Sequence, residues 1–159
     1  MSRSNENAKT LAGTEAWEIV RVQDASALFR ALPTLLPDAT TAFVECVGMA
    51  SAVADALSRY TEVSTYEAPL GVVWPTPTRL RLKTSADLFV RLGELAEQHA
   101  GPEICDNFHV YAFAAPLLQW FDAFDDPIRV SKRVPVQRIQ RLCKELGVQY
   151  RECAAVDPL

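Results

Sequence analysis

The stretch NFHVYAFAAPLLQWFDAFDDPIRVSK, residues 107–132, decides how this chain folds. It holds three β-prone runs, 107–113, 117–123 and 128–132, with no helical spacing between them and with Asp125-Asp126-Pro127 separating the last two. Asp side chains bond their own backbone and proline has no N–H to give a ladder, so that triplet is turn chemistry. Three strands in succession predict an antiparallel meander.

Helices flank the meander on both sides. Upstream, Leu88, Phe89, Leu92, Leu95, Ala96 and His99 recur on one helical face,. Thr84 with Asp87 resembles a capping box at its start, and Gly101-Pro102 is expected to close it,. Downstream, Pro135 suits the first turn of a helix carrying Val136, Ile139, Leu142, Cys143 and Leu146, which ends at Gly147 and leads into a strand over 148–153,.

Farther upstream, Trp17 to Val22 reads as a strand, and Asp24 caps a helix through Leu28, Phe29, Leu32 and Leu35,. Pro33 removes a donor inside that helix and predicts a kink or break near Ala31,. Residues 41–47 form a nearly continuous apolar β-prone run, the pattern of a strand covered on both faces, and Gly48 turns it into a short helix ending near Tyr60,. Pro69, Pro75 and Pro77 make residues 62–77 irregular before a strand at 78–83,. The expected fold is α/β: a mixed sheet with right-handed crossovers in its first half, an antiparallel meander in its second half, and helices packed on the sheet faces.

At 159 residues, 49% of them hydrophobic and 23% charged, the chain suits one globular domain,. Residues 1–14 are polar and read as a mobile tail, leaving 15–159 as the domain,. The tail has no apolar run, and the most apolar stretch, 111–121, contains Pro116 and Gln119 and falls well short of the ~20 residues a membrane helix needs,. These features predict a cytoplasmic protein with no membrane span. Cys46, Cys105, Cys143 and Cys153 lie 59, 38 and 10 positions apart with no C-x-x-C pair, which reads as buried thiols rather than a zinc site or disulfides,. A net charge of −4 and the lack of interleaved aromatics around Arg138, Arg141 and Lys144 argue against nucleic acid as a partner,.

The polar groups able to do chemistry concentrate in residues 103–126. A hairpin turning at Ala115-Pro116 places His109 opposite Asp122, Tyr111 opposite Trp120 and Phe113 opposite Leu118,. One sheet face then carries an aromatic surface, Tyr111 with Trp120, ending in an imidazole and a carboxylate. Glu103, Asp106, Asp125 and Asp126 lie at the same end in sequence, so the candidate cluster is Glu103, Asp106, His109, Asp122, Asp125 and Asp126. Carboxylates with histidine suit a divalent cation or a tuned general base. The same acids are also ordinary turn and surface residues.

No serine elbow, glycine-rich phosphate loop, dinucleotide fingerprint or cofactor motif occurs,. An acidic block, Glu94 to Asp126, abuts a basic one holding Arg129, Lys132, Arg133, Arg138, Arg141, Lys144 and Arg151. The two are expected to face each other partly within the fold, or to meet across a homodimer. The leading expectation is a small non-enzymatic binding or protein-interaction domain, recognising a protein partner or a second copy. The alternative is a metal-dependent hydrolase using His109 and its neighbouring carboxylates, and a third is an apolar pocket behind Tyr111 and Trp120.

Overall fold

The computed structural model describes residue 11 and residues 15–63 and 75–153. Most of the irregular segment expected before the third strand, and all of the tail except Leu11, lie outside the described residues. Seven strands are described: β1 (Ala16–Val20), β2 (Thr41–Cys46), β3 (Thr78–Lys83), β4 (Asn107–Ala112), β5 (Ala115–Trp120), β6 (Ile128–Ser131) and β7 (Gln149–Cys153). Four helices accompany them: α1 (Ala25–Leu35), α2 (Ser51–Leu57), α3 (Ala86–Gln98) and α4 (Val136–Leu146). No described helix is long and apolar enough to cross a membrane.

The strands form one sheet in the order β3-β2-β4-β5-β6-β1-β7. Every neighbouring pair is antiparallel, so the expected mixed sheet is corrected to an antiparallel one. The β-α-β pattern at the start suggested adjacent parallel strands. Four antiparallel steps do give β1 and β2 the same direction, but β4, β5 and β6 lie between them. The predicted meander fills the gap that α1 crosses.

Helix packing also differs from the expectation of covered faces. α1 packs against both α3 and α4, and α2 contacts α3. Buried residues of all four helices share one apolar cluster with Leu82, Ala42, Val44, Phe108, Val110, Leu118, Val130 and Ile19 from the sheet. Phe29 of α1 meets Phe108 of β4 edge-on at 5.5 Å,. Phe43, Tyr111 and Ala16 are buried yet stand outside that cluster, because strand alternation sends them to the opposite face,. The described helices therefore form one layer, on one side of the sheet.

Local signals explain most element ends. The Asp24 carboxylate accepts the Ala27 N–H at 2.9 Å and starts α1,. The helix then runs unbroken through Pro33, which lies in its last turn with its ring exposed, while Leu28, Phe29, Leu32 and Leu35 are buried. Burial of that face holds the turn that the proline weakens. Ser85, not Thr84, caps α3, accepting the Leu88 N–H at 3.1 Å. Thr84 instead donates to the Thr40 carbonyl at 2.9 Å, and Asp87 pairs with Arg59 and Tyr60.

Two glycines have separate reasons. Gly147 adopts the left-handed conformation (φ 66°) that closes α4,. Gly101 does not cap α3, whose last N–H bond comes from His99 in extended conformation. A Cβ at Gly101 would lie 2.5 Å from the Phe124 ring, so close packing fixes this glycine.

Candidate functional site

The hairpin register determines which side chains meet. β4 and β5 are joined by a two-residue turn at Phe113-Ala114, with Ala112 paired to Ala115 and an irregularity between Val110 and Tyr111. Pro116 lies inside β5, paired to Tyr111, rather than in the turn. His109 consequently pairs with Gln119 instead of Asp122, and Trp120 pairs with Phe108 instead of Tyr111. Trp120 joins the helix-side cluster and Tyr111 faces the other way. Both are buried, at 2% and 0% exposure, so they make neither a shared nor an exposed aromatic surface.

The predicted acids disperse. Glu103 is exposed and accepts the Ala100 N–H at 2.9 Å. Asp106 is half-buried and accepts the Val47 N–H at 2.6 Å, while its own carbonyl accepts the Ala123 N–H at 2.7 Å. Asp122, Asp125 and Asp126 are exposed, and the last two donate their N–H groups to the Asp122 carbonyl at 3.0 and 3.1 Å. This is the bonding of a loop. Among the described residues, no three His, Cys, Asp or Glu side chains approach closely enough to hold a metal ion. Three members of the basic block pair elsewhere than with these aspartates: Arg129 and Arg151 bind Glu18, and Lys132 binds Glu152.

The sheet face away from the described helices gathers polar groups that no single stretch of sequence contains. Consecutive strand pairings align Arg81, Phe43, His109, Gln119, Arg129, Glu18 and Arg151 in one row, one residue from each strand. Directly opposed residues share a face, so this row crosses the whole sheet. Glu18, His109 and Gln119 are buried within it. Arg151 Nε reaches Glu18 Oε2 at 2.8 Å and Arg129 Nη2 reaches Oε1 at 3.5 Å. Burial pushes the Glu18 carboxyl up, but contacts with Arg151 and Cys153 and the two guanidinium charges outweigh it and hold the group below its ordinary value,.

Neighbouring rows continue the network. Glu45 pairs with Arg79 at 2.9 Å and accepts from Asn107 Nδ2 at 2.8 Å, and Asn107 Oδ1 accepts the Asp122 N–H at 3.1 Å. Gln119 donates to the Tyr111 hydroxyl at 2.8 Å and accepts the Leu11 N–H at 2.7 Å. Leu11 is itself buried. The polar composition of the first fourteen residues did not suggest that one of them meets the sheet.

His109 is the exception to this mutual satisfaction. Its Nδ1 accepts the Trp120 N–H at 3.3 Å, its ring lies 4.5 Å from that of Phe121, and its Nε2 is buried with no hydrogen-bond partner. An accepting Nδ1 leaves the neutral ring's proton on Nε2, so a donor is buried without an acceptor. Burial drives the imidazole pKa down to about 4, against the opposing influence of Glu45 and the Phe108 backbone. It is a neutral hydrogen-bond donor at ordinary pH.

Cys46, Cys105 and Cys143 are buried free thiols. Burial, with the Asp106 charge, pushes Cys46 up to about 11, and burial raises Cys105 and Cys143 as well. Thiolate nucleophiles are scarce in such surroundings. Reasoning from the sequence singled out His109 but passed over Glu18, Glu45, Asn107, Gln119, Arg129 and Arg151 as site residues. The available signal was a polar residue at alternate positions inside otherwise apolar strands. Comparison of the chain with family models, curated proteins and solved structures finds no match.

Proposed function

We propose that the protein is a non-enzymatic binding domain whose binding site centres on His109, on the sheet face away from the described helices. The observation that carries this reading is His109: a buried Nε2–H without an acceptor, in a row where Gln119, Arg129, Glu18 and Arg151 all have polar partners. Leaving a buried donor unpaired costs roughly 1–3 kcal/mol, a cost that a bound acceptor removes. The raised thiols favour binding over catalysis, because they supply no activated nucleophile,.

The ligand supplies a carbonyl or carboxylate oxygen to Nε2. The test is an NMR screen of a carboxylate and amide fragment library against the wild-type protein and His109→Leu. Support requires hits that shift the His109 Nε2 nitrogen and the β4 and β5 amides, with affinity at least about tenfold weaker in the variant. Hits that bind both proteins alike, or that move only helix-side residues, overturn the reading. No observation favours the metal-dependent hydrolase over it.

A further inference from the structure

Arg138 and Arg141 stand three residues apart on α4, each immediately before a residue of its buried stripe, Ile139 and Leu142. That spacing puts both on one side of a helix that packs against α1,. Arg138 is half-buried and Arg141 is exposed. Among the described residues neither guanidinium meets a carboxylate or gives a hydrogen bond, so neither is engaged by an acid or by the carbonyl end of α1. In a chain of net charge −4, this unpaired pair of cations is a local reversal of sign,.

The two arginines line a groove of about 340 Å³ together with Pro33 and Thr34 of the last turn of α1 and Pro37 and Asp38 of the loop after it. Thr34 is half-buried, and among the described residues its hydroxyl has no hydrogen-bond partner. Asp38 is exposed, and no described cation pairs with it. Two guanidinium groups against one carboxylate leave a positive excess. Donors from Arg138, Arg141 and Thr34 and an acceptor from Asp38 therefore line one concave space without satisfying one another. No aromatic ring is among the described residues that line it.

We propose that this groove binds a small phosphorylated sugar or polyol. Its phosphate accepts from the Arg138 and Arg141 guanidinium groups and from the Thr34 hydroxyl, and its own hydroxyls donate to the Asp38 carboxylate. Guanidinium forks match phosphate oxygens in pairs, and such charge-assisted bonds are stronger than neutral ones. Asp38 repels a bare anion but accepts from a ligand that carries hydroxyls beside its phosphate, so it selects the ester over inorganic phosphate. The volume lies at the lower end for small-molecule sites, which suits a ligand of a few carbons. A single-stranded nucleic acid needs rings on which its bases stack, and this groove offers none. The groove is built from α1 and α4 on the helix side, whereas His109 faces the other way, so the two sites stand or fall separately.

The experiment titrates the full chain calorimetrically with glycerol 3-phosphate, ribose 5-phosphate and glucose 6-phosphate, with their unphosphorylated counterparts, and with inorganic phosphate. Arg138→Gln, Arg141→Gln, Asp38→Asn and His109→Leu are measured beside wild type. The two arginines hold no partner in the fold, so their variants should melt within about 2 °C of wild type, and a loss of binding is then not a loss of fold. The expected result is that at least one ester binds about tenfold or more tightly than inorganic phosphate and than its unphosphorylated counterpart. Each arginine variant should weaken that ester at least about tenfold, and Asp38→Asn should narrow its advantage over inorganic phosphate to less than about threefold. His109→Leu should bind it as wild type does. The proposal is overturned if no ester binds, if inorganic phosphate binds as tightly as every ester, or if the arginine variants bind unchanged. Tighter binding of an oligothymidylate or a phosphoserine peptide than of any ester also overturns it, by identifying a macromolecular partner.

Discussion

The two faces of this sheet share one hydrogen-bonded ladder and solve opposite problems. On the helix side, one row across all seven strands reads Leu82, Ala42, Val110, Leu118, Val130, Trp17 and Glu152, apolar until the sheet's edge. On the other side, the next row reads Arg81, Phe43, His109, Gln119, Arg129, Glu18 and Arg151. Apolar groups gain by leaving water whatever they touch, so the first face tolerates approximate complementarity. Buried polar groups are stabilised only when each meets a partner, so the second face depends on pairing. The difference locates most apolar stabilisation on one face and the demand for matched polar partners on the other.

The largest effect is expected on the helix side. Phe108→Ala empties the contact with Phe29 and should cost about 3–5 kcal/mol in denaturant unfolding,. A loss below about 1 kcal/mol would break the assignment of this face as the source of stability.

His109 sharpens the comparison through pH. Its folded-state pKa, about 4, lies below the ordinary 6.5, so the unfolded chain binds a proton first as pH falls,. Stability due to the neutral ring is present above pH 6.5, declines as pH drops to 4, and declines no further below it. At about 1.4 kcal/mol per pKa unit the full loss is on the order of 3 kcal/mol. His109→Leu should flatten that part of the stability curve, and a wild-type curve with no slope between pH 6.5 and 4 would contradict the burial of a neutral imidazole.

Glu18→Gln tests the pairing on the face away from the described helices. It leaves Arg129 and Arg151 without their shared charge, but both guanidinium groups reach water, so the expected cost is only about 1–2 kcal/mol at neutral pH,. Because the Glu18 carboxyl is held low, its contribution is present above the unfolded carboxylate pKa and is lost as pH falls through the folded one,. The variant should therefore be less acid-sensitive than wild type there. The smallest effect belongs to Asp125→Asn, expected within about 0.5 kcal/mol because this carboxylate is exposed in a loop,. A larger change would mean that the 121–127 acids act together.

Much of the fold was legible because its signals are local. Asp24, Pro135 and Gly147 mark helix ends by groups within one turn, and the apolar spacing from Leu88 to Leu95 identifies the buried side of α3. The three strands of the meander were recognisable from composition and turn residues alone. The site was less legible. Pro116 looked like a turn residue and proved to be in a strand, while a strained Phe113 took the turn, and that shift exchanged Asp122 for Gln119 opposite His109. Side-chain direction alternates with every residue along a strand, so a small change in register gives each side chain a new partner.

The amino-acid sequence by itself determined the helices, the strands, the meander and the unusual placement of an imidazole inside an apolar run. Propensity, capping and periodicity act over a few residues, and they need no knowledge of the rest of the chain. Only the tertiary structure decided that the meander sits between β1 and β2, that the described helices share one side, and that Glu18, His109, Gln119 and Arg151 stand in one row. Strand order and register are set by long-range pairing, in which residues 133 positions apart in the chain meet as Glu18 and Arg151 do,.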